Sequence, residues 1–438
     1  MNPADNVQTM ASADSESRAG IHASEICDGS RSSSRDTSSS SPFSPVIRRW
    51  RSRESGVEGL RIIAMAMIVA YHAYLYGAVG TNMLLGSSAF GIFLLAVNSF
   101  GKTGVAIFFL ITAWYLCERK APTFRASLRK ACYLELEVLL YNFVFLVEYH
   151  VIVPNASLPL ESIIGSVFPV SSGSNWYATA YILFLLVYPF VTAGLRALGP
   201  ALHARLALLL FVIWGIWYGL TRYAMWQFPE RNFLYFVYLY ILLSYYRWYL
   251  REISVSSAWL ITLMGCLILA IHIVSCEVAF QYTGNRSYID FGHLYLTNEG
   301  KLPVLLVAFG VVSLVVRCHR HIIAVNIFAS AMFGVYLFHD NVLLRDMLWT
   351  DILSVEQIAK QKAPIPIFIA VILGVVIFGT IVDILRQLLF AMTIDKHFNT
   401  WFDAAYRWLR GCRLAQWLRA SLQPVKDSWT TQKGEHHE

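Results

Sequence analysis

Two residues of the run RIIAMAMIVAYH are of the right type and spacing to do chemistry together: Arg61 and His72, with ten residues between them. On a helix, eleven steps of about 100° come to roughly three turns plus 20°. The two side chains therefore share one face and lie about 16 Å apart along the axis. The run is apolar, so it places a fixed cation at a membrane edge and a titratable base at depth, on one line. An ordinary imidazole titrates near neutrality and can accept and return a proton. Ionisable groups inside a bilayer are costly and are functional candidates by default. The plainer reading is an arginine that only sets topology and a histidine satisfied within a bundle. Tyr71, Tyr74 and Tyr76 beside the imidazole favour the functional one.

Three further stretches carry polar chemistry. In GKTGVAIFFLITAWYL (101–116) the glycines read as small residues that let helices approach closely. In NWYATAYILFLLVYPF (175–190), Trp176 and Tyr177 fit an interfacial aromatic belt, and Pro189 is expected to kink its helix. In FGVYLFHDNVLLRDMLW (333–349), Tyr336, His339 and Asp340 are followed by Arg345 and Asp346. Adjacent helical residues do not face one another, so His339 and Asp340 are not expected to form a local catalytic dyad. They suit an acceptor-binding or structural polar network with Trp176, Tyr177 and Tyr336. Asp383 and Arg386, three residues apart, read as a structural ion pair.

The elements that hold these residues follow from composition. The chain has 438 residues, 56% hydrophobic and 14% charged, with a mean hydropathy of +0.51. Soluble domains carry about a quarter charged residues. The expected fold is an all-α, polytopic transmembrane helix bundle. Ten apolar segments are expected as spans: 61–80, 101–117, 133–153, 176–195, 206–226, 233–250, 257–281, 302–316, 322–343 and 365–390. A loop, with partial re-entry allowed, covers 81–99. Arg and Lys gather on alternate loops, which places both termini in the cytoplasm.

Residues 1–45 are Ser-rich and too polar to fold, so they form a disordered cytoplasmic tail without the apolar run of a signal peptide. Arg48, Arg49, Arg51 and Arg53 follow it and hold it inside. Residues 46–392 are the transmembrane domain, and 393–438 a basic, amphipathic cytoplasmic tail that either lies on the inner membrane surface or is an ordinary solvated basic helix. The net charge of +7 reflects that inside bias, and no zinc-finger spacing or basic stripe argues for nucleic acid. The seven cysteines, Cys27 among them, lack any CxxC pair and read as free thiols, with no metal site.

In order and spacing these four patterns resemble the acyltransferase 3 family of polytopic membrane acyltransferases, over roughly residues 56–390. Arg61, ten residues, His72 is similar to that family's first-span signature. GVAIFFLITAWYL is similar to its GVDLFFVLSGFLL-type second span, but has Ala106 where Asp is common and Thr112-Ala113 where Ser-Gly is common. The later stretches are similar to members that modify surface polysaccharides. The resemblance implies transfer of an acyl group, usually acetyl, from acyl-CoA as donor substrate to a hydroxyl of a cell-surface glycan or lipid-linked sugar, in the cell envelope at the cytoplasmic membrane. It makes His72 the catalytic base or acyl relay and Arg61 a donor-binding residue. Acyl-CoA is anionic and cytoplasmic, and a guanidinium at the inner edge can bind its phosphates. Arg125, Arg129 and Lys130 make the same surface cationic; they either bind donor phosphate or serve only as topology determinants. Many members carry a soluble hydrolase-like domain; the short tail here implies that the membrane unit acts alone or with a separate transferase partner. The competing reading is a secondary transporter or a flippase of a glycan precursor, weakened by the lack of a repeat between the halves.

Overall fold

The computed structural model describes residues 50–421 apart from 52, 80–87, 120, 153–159, 222–230, 286, 291–295, 297, 414–415 and 418–420. The chain divides into residues 1–41 and 42–438. The Ser-rich segment 1–45, Arg48, Arg49, Cys27 and the end of the tail lie outside the described residues.

Among the described residues the chain is all helix, without a strand. The principal helices are α1 Ser55–His72, α2 Ala89–Cys117, α3 Phe124–Ile152, α4 Trp176–Leu210 and α5 Phe233–Tyr249. They are followed by α6 Val255–Thr283, α7 Leu302–Val315, α8 Ile323–Ser330, α9 Met332–His339, α10 Pro364–Met392 and α11 Ile394–Gly411. Five helical stretches among the described residues are long and apolar enough to cross a membrane: Ser55–Val79, Ala89–Cys117, Trp176–Tyr218, Val255–Thr283 and Pro364–Met392. This is a membrane protein. Leu260, Leu263, Leu267, Ile271 and Val274 of α6 are exposed at helical spacing, as are Ile369, Leu373, Ile377, Ile381 and Leu385 of α10. Water would penalise such faces and lipid would not.

α2 occupies the centre: 83% of its most apolar window is buried, against 28% for α6 and 33% for α10. It packs against α1, α5 and α7. The expected loop at 81–99 is a correction: α2 already begins at Ala89, capped by the Ser88 hydroxyl accepting from the Gly91 N–H. Residues 89–99 are nearly as apolar as the segment after them, so one long helix hides their backbone better than a loop.

One helix break was not expected from the sequence. In α4 the backbone leaves helical values at Gly199 (φ 69°), ahead of Pro200, while Pro189 lies inside the helix. The left-handed value at Gly199 suits a residue without Cβ, so the two expected spans there meet at a break inside one merged helix. The ninth segment is split at Ala331 (φ −91°, ψ −4°) into α8 and α9.

The glycines of GKTG do what small residues do at helix crossings. A Cβ on Gly104 would lie 2.6 Å from the Ala64 carbonyl oxygen of α1, and one on Gly101 would collide with Tyr71. Contact this close holds α1 in register with α2 next to His72. Gly104→Val is expected to push the helices apart. Overpacking of this kind costs about 1–3 kcal/mol, read as a lower Tm in detergent together with reduced activity.

Candidate active site

The α-helix of α1 ends at His72 and a π-helical turn follows, Ala73–Val79. Such wider turns cluster at functional sites because they re-aim the residues after them. Here Tyr76 reaches α9's end: its hydroxyl donates to Asp340 Oδ1 at 3.0 Å. His339 is the last residue of α9 and Asp340 its C-cap. Both converge on the same imidazole. His72 Nδ1 lies 2.9 Å from His339 Nε2 and 3.6 Å from Asp340 Oδ1. His72, His339 and Asp340 are all buried. Arg345 closes the group, 4.0 Å from Asp340 Oδ1 and 4.7 Å from the Tyr76 ring centroid. His339 and Asp340 thus make no dyad with each other. The turn out of helical geometry at Asp340 lets neighbours in sequence address one target.

A narrow cleft, with a cavity volume of about 10 Å³, lies beside this cluster. Its wall includes His72, Phe108, Trp176, Tyr177, Phe333 and Tyr336, with Met65, Ile68 and Val105. The site residues from distant segments therefore meet: Trp176 and Tyr177 from the head of α4, Tyr336 from α9 and His72 from α1. The Tyr177 N–H donates to the Tyr336 hydroxyl at 3.3 Å, and their rings stand 5.8 Å apart. A wall that is mostly aromatic with few convergent polar groups is what small-molecule sites present.

Arg61 is not part of this wall but lies beside Phe108, which is. α1 is continuous from Ser55 to His72, so the expected shared face and axial offset hold. The Arg61 guanidinium lies 5.9 Å from the Phe108 ring centroid and pairs with Glu58 at 3.3 Å. Its buried Nε has no hydrogen-bond partner among the described residues.

Arg125, Arg129 and Lys130 each have a partner within the protein. Arg125 pairs with Asp403 at 2.7 Å, Arg129 donates to Asn399 at 3.3 Å and the Tyr133 hydroxyl donates to Asp395 at 2.9 Å. Positions 125, 129 and 133 of α3 thus meet 403, 399 and 395 of α11, an antiparallel ladder in steps of four. Lys130 donates to the Tyr181 hydroxyl at 2.9 Å. Trp401, Trp408 and Leu409 of α11 remain exposed, so the helix keeps an apolar face free.

Sequence reasoning missed Lys102 as a site neighbour. It is buried in the middle of α2, donates to Asn298, lies 3.6 Å from Glu299 Oε2 and sits 5.5 Å from the Tyr71 ring centroid. A lone lysine deep in an apolar helix is a signal for function. In the sequence Lys102 stands at the start of the apolar segment 101–117, where a lysine reads as a flanking charge. Sequence reasoning also missed Asn175: at the head of α4 its amide is buried, and among the described residues neither of its polar atoms has a hydrogen-bond partner. The expected Asp383–Arg386 pair is present at 2.8 Å and extends to Glu137 at 2.9 Å. The described cysteines are free thiols.

A family model described as an acyltransferase domain matches residues 54–384. No curated protein and no solved structure matches.

Proposed function

This chain belongs to the acyltransferase 3 family, and from that premise we propose that it is a membrane O-acyltransferase moving an acetyl group from acetyl-CoA to a hydroxyl of a cell-surface glycan or lipid-linked sugar. The observation that carries the reading is the imidazole of His72, held at Nδ1 by His339 and forming part of an aromatic cleft. Its other nitrogen, Nε2, makes no hydrogen bond among the described residues. In the reaction an acceptor hydroxyl attacks the thioester carbonyl carbon while its proton passes to His72 Nε2. The tetrahedral intermediate collapses, the C–S bond breaks, and the same proton goes to the departing thiolate. The base is thereby restored. General-base assistance of this kind is worth about 10²–10⁴-fold in rate.

The arrangement proposed around this step has ten spans with both termini in the cytoplasm of a cell whose cytoplasmic membrane holds the protein. Arg61 then stands at the cytosolic rim of the cleft that His72 lines. Its planar guanidinium with an unpartnered Nε is suited to a CoA phosphate. Arg125, Arg129 and Lys130 make that face cationic and draw the anionic donor towards it. The acceptor lies against Trp176, Tyr177 and Tyr336, where sugar faces find aromatic rings, and a separate protein partner completes delivery where the acceptor is outside.

Purified protein in liposomes, given labelled acetyl-CoA and surface glycan but no ion gradient, tests this reading. Label should move to glycan hydroxyls. In the same assay Arg61→Ala should raise the KM for acetyl-CoA by about tenfold or more, the equivalent of one lost charge-assisted hydrogen bond of roughly 1.5–3 kcal/mol. Arg61→Lys, which keeps charge but loses the fork, should recover only part. Gradient-dependent movement of a glycan precursor with no acyl transfer would favour a transporter instead.

A further inference from the structure

We propose that His339 is a positioning residue for the transfer: it fixes which nitrogen of His72 carries the proton, and so keeps His72 Nε2 free to receive one. The proposal rests on the reading of His72 as the base, and it adds a role for a residue 267 positions away in the chain.

The argument runs through donors and acceptors. His339 Nδ1 lies 2.6 Å from the Val335 carbonyl oxygen, one helical turn back on α9. A carbonyl oxygen only accepts, so His339 Nδ1 holds a proton and donates it. A neutral imidazole has one N–H and one lone pair, so His339 Nε2 is an acceptor. His339 Nε2 is 2.9 Å from His72 Nδ1, and two lone pairs would not approach so closely. His72 Nδ1 must therefore donate. By the same rule the lone pair of His72 lies on Nε2. Val335, His339 and His72 form a one-way chain that begins at a backbone carbonyl and leaves His72 Nε2 as the acceptor at its open end.

The chain also serves the charged state. When His72 Nε2 takes the hydroxyl proton, Nδ1–H remains donated to His339 and no bond of the chain has to reverse. Asp340 Oδ1, 3.6 Å from His72 Nδ1, supplies the opposite charge. Asp340 is itself fixed by the Tyr76 hydroxyl and by Arg345. The carbonyl at the start of the chain is as rigid as α9. That helix is seated on α10 where Gly334 admits the Asp383 carboxylate: a Cβ at Gly334 would overlap it.

The experiment uses the full-length protein in nanodiscs with ring-15N-labelled histidine, the His72 signals being those lost in His72→Asn. In the unaltered protein His72 should show a protonated Nδ1 and a bare Nε2. His339→Leu removes the acceptor; His72 should then populate the Nε2–H form, and kcat should fall by about 10²-fold with KM for acetyl-CoA little changed, as expected when only transition-state help is lost. His339→Gln offers an amide oxygen at a similar reach. It should restore the Nδ1–H form and bring kcat to within about tenfold of the unaltered protein, a gap small against the general-base contribution. A protonated Nε2 in the unaltered protein overturns the proposal, and so does an unchanged His72 tautomer in His339→Leu. Should the leucine variant not fold, the unaltered protein and the glutamine variant decide the matter. Transfer that survives in His72→Asn overturns the base reading instead, and shows itself in a readout separate from the tautomer.

Discussion

His72→Asn should abolish acyl transfer while leaving the protein inserted and folded. Asparagine places an amide N–H close to where His72 Nδ1 sits, so the bond to His339 Nε2 at 2.9 Å can be kept. What it lacks is a nitrogen lone pair at the Nε2 position to take the hydroxyl proton in the transition state. The loss expected is the whole general-base contribution, about 10²–10⁴-fold in kcat. His72→Ala should match it in activity and differ in stability. Alanine strands the buried Nε2 of His339 without a donor, which costs about 1–3 kcal/mol. Label transfer from acetyl-CoA and thermal unfolding in detergent separate the two effects. Wild-type transfer in both variants would rule His72 out as base.

Arg386→Met should be the most damaging change to stability. The Arg386 guanidinium bridges two helices: Nη1 donates to Glu137 Oε1 at 2.9 Å, while Nε donates to Asp383 Oδ1 at 2.8 Å and Nη2 to Asp383 Oδ2 at 3.2 Å. Tyr141 and Gln387 donate to the same Asp383 carboxylate. Methionine fills similar space but leaves two carboxylates facing each other in a site nearly closed to solvent. Removing one partner of a buried ionic set costs about 3–5 kcal/mol. Replacing Glu137, Asp383 and Arg386 together by apolar residues of similar volume should cost far less, because no charge is then left unpaired. Melting temperatures of the single and triple variants test the pair of expectations. The single variant should also lose activity, since Asp383 seats α9 through Gly334 and α9 ends in His339.

Much of this site could be read along the chain. The Arg61–His72 spacing needs only one regular helix, and α1 is regular over that stretch. The glycine pair at 101 and 104 reads as a crossing because no other residue permits such an approach, and α1 does lie against it. Trp176, Tyr177 and Tyr336 read as one network in the sequence, and they line one cleft. The reading failed where geometry between helices decides. Lys102 looked like a span-end charge because helix ends are set by packing and capping; Ser88 caps the helix well before that lysine. The partners of Arg125 and Arg129 could not be read along the chain, because they stand on a helix more than 260 residues later.

Hydropathy and charge act locally, and they are enough to dictate an all-helical membrane protein and to put an imidazole within the first of its helices. Hydrogen bonds between side chains act over about 3 Å, whereas His72 and His339 are separated by most of the chain. Their meeting, and with it the proton's seat on one ring nitrogen, comes from the way α1, α2 and α9 pack: glycine contacts bring α1 onto α2, an acidic side chain docks α9, and only then do two imidazoles face each other.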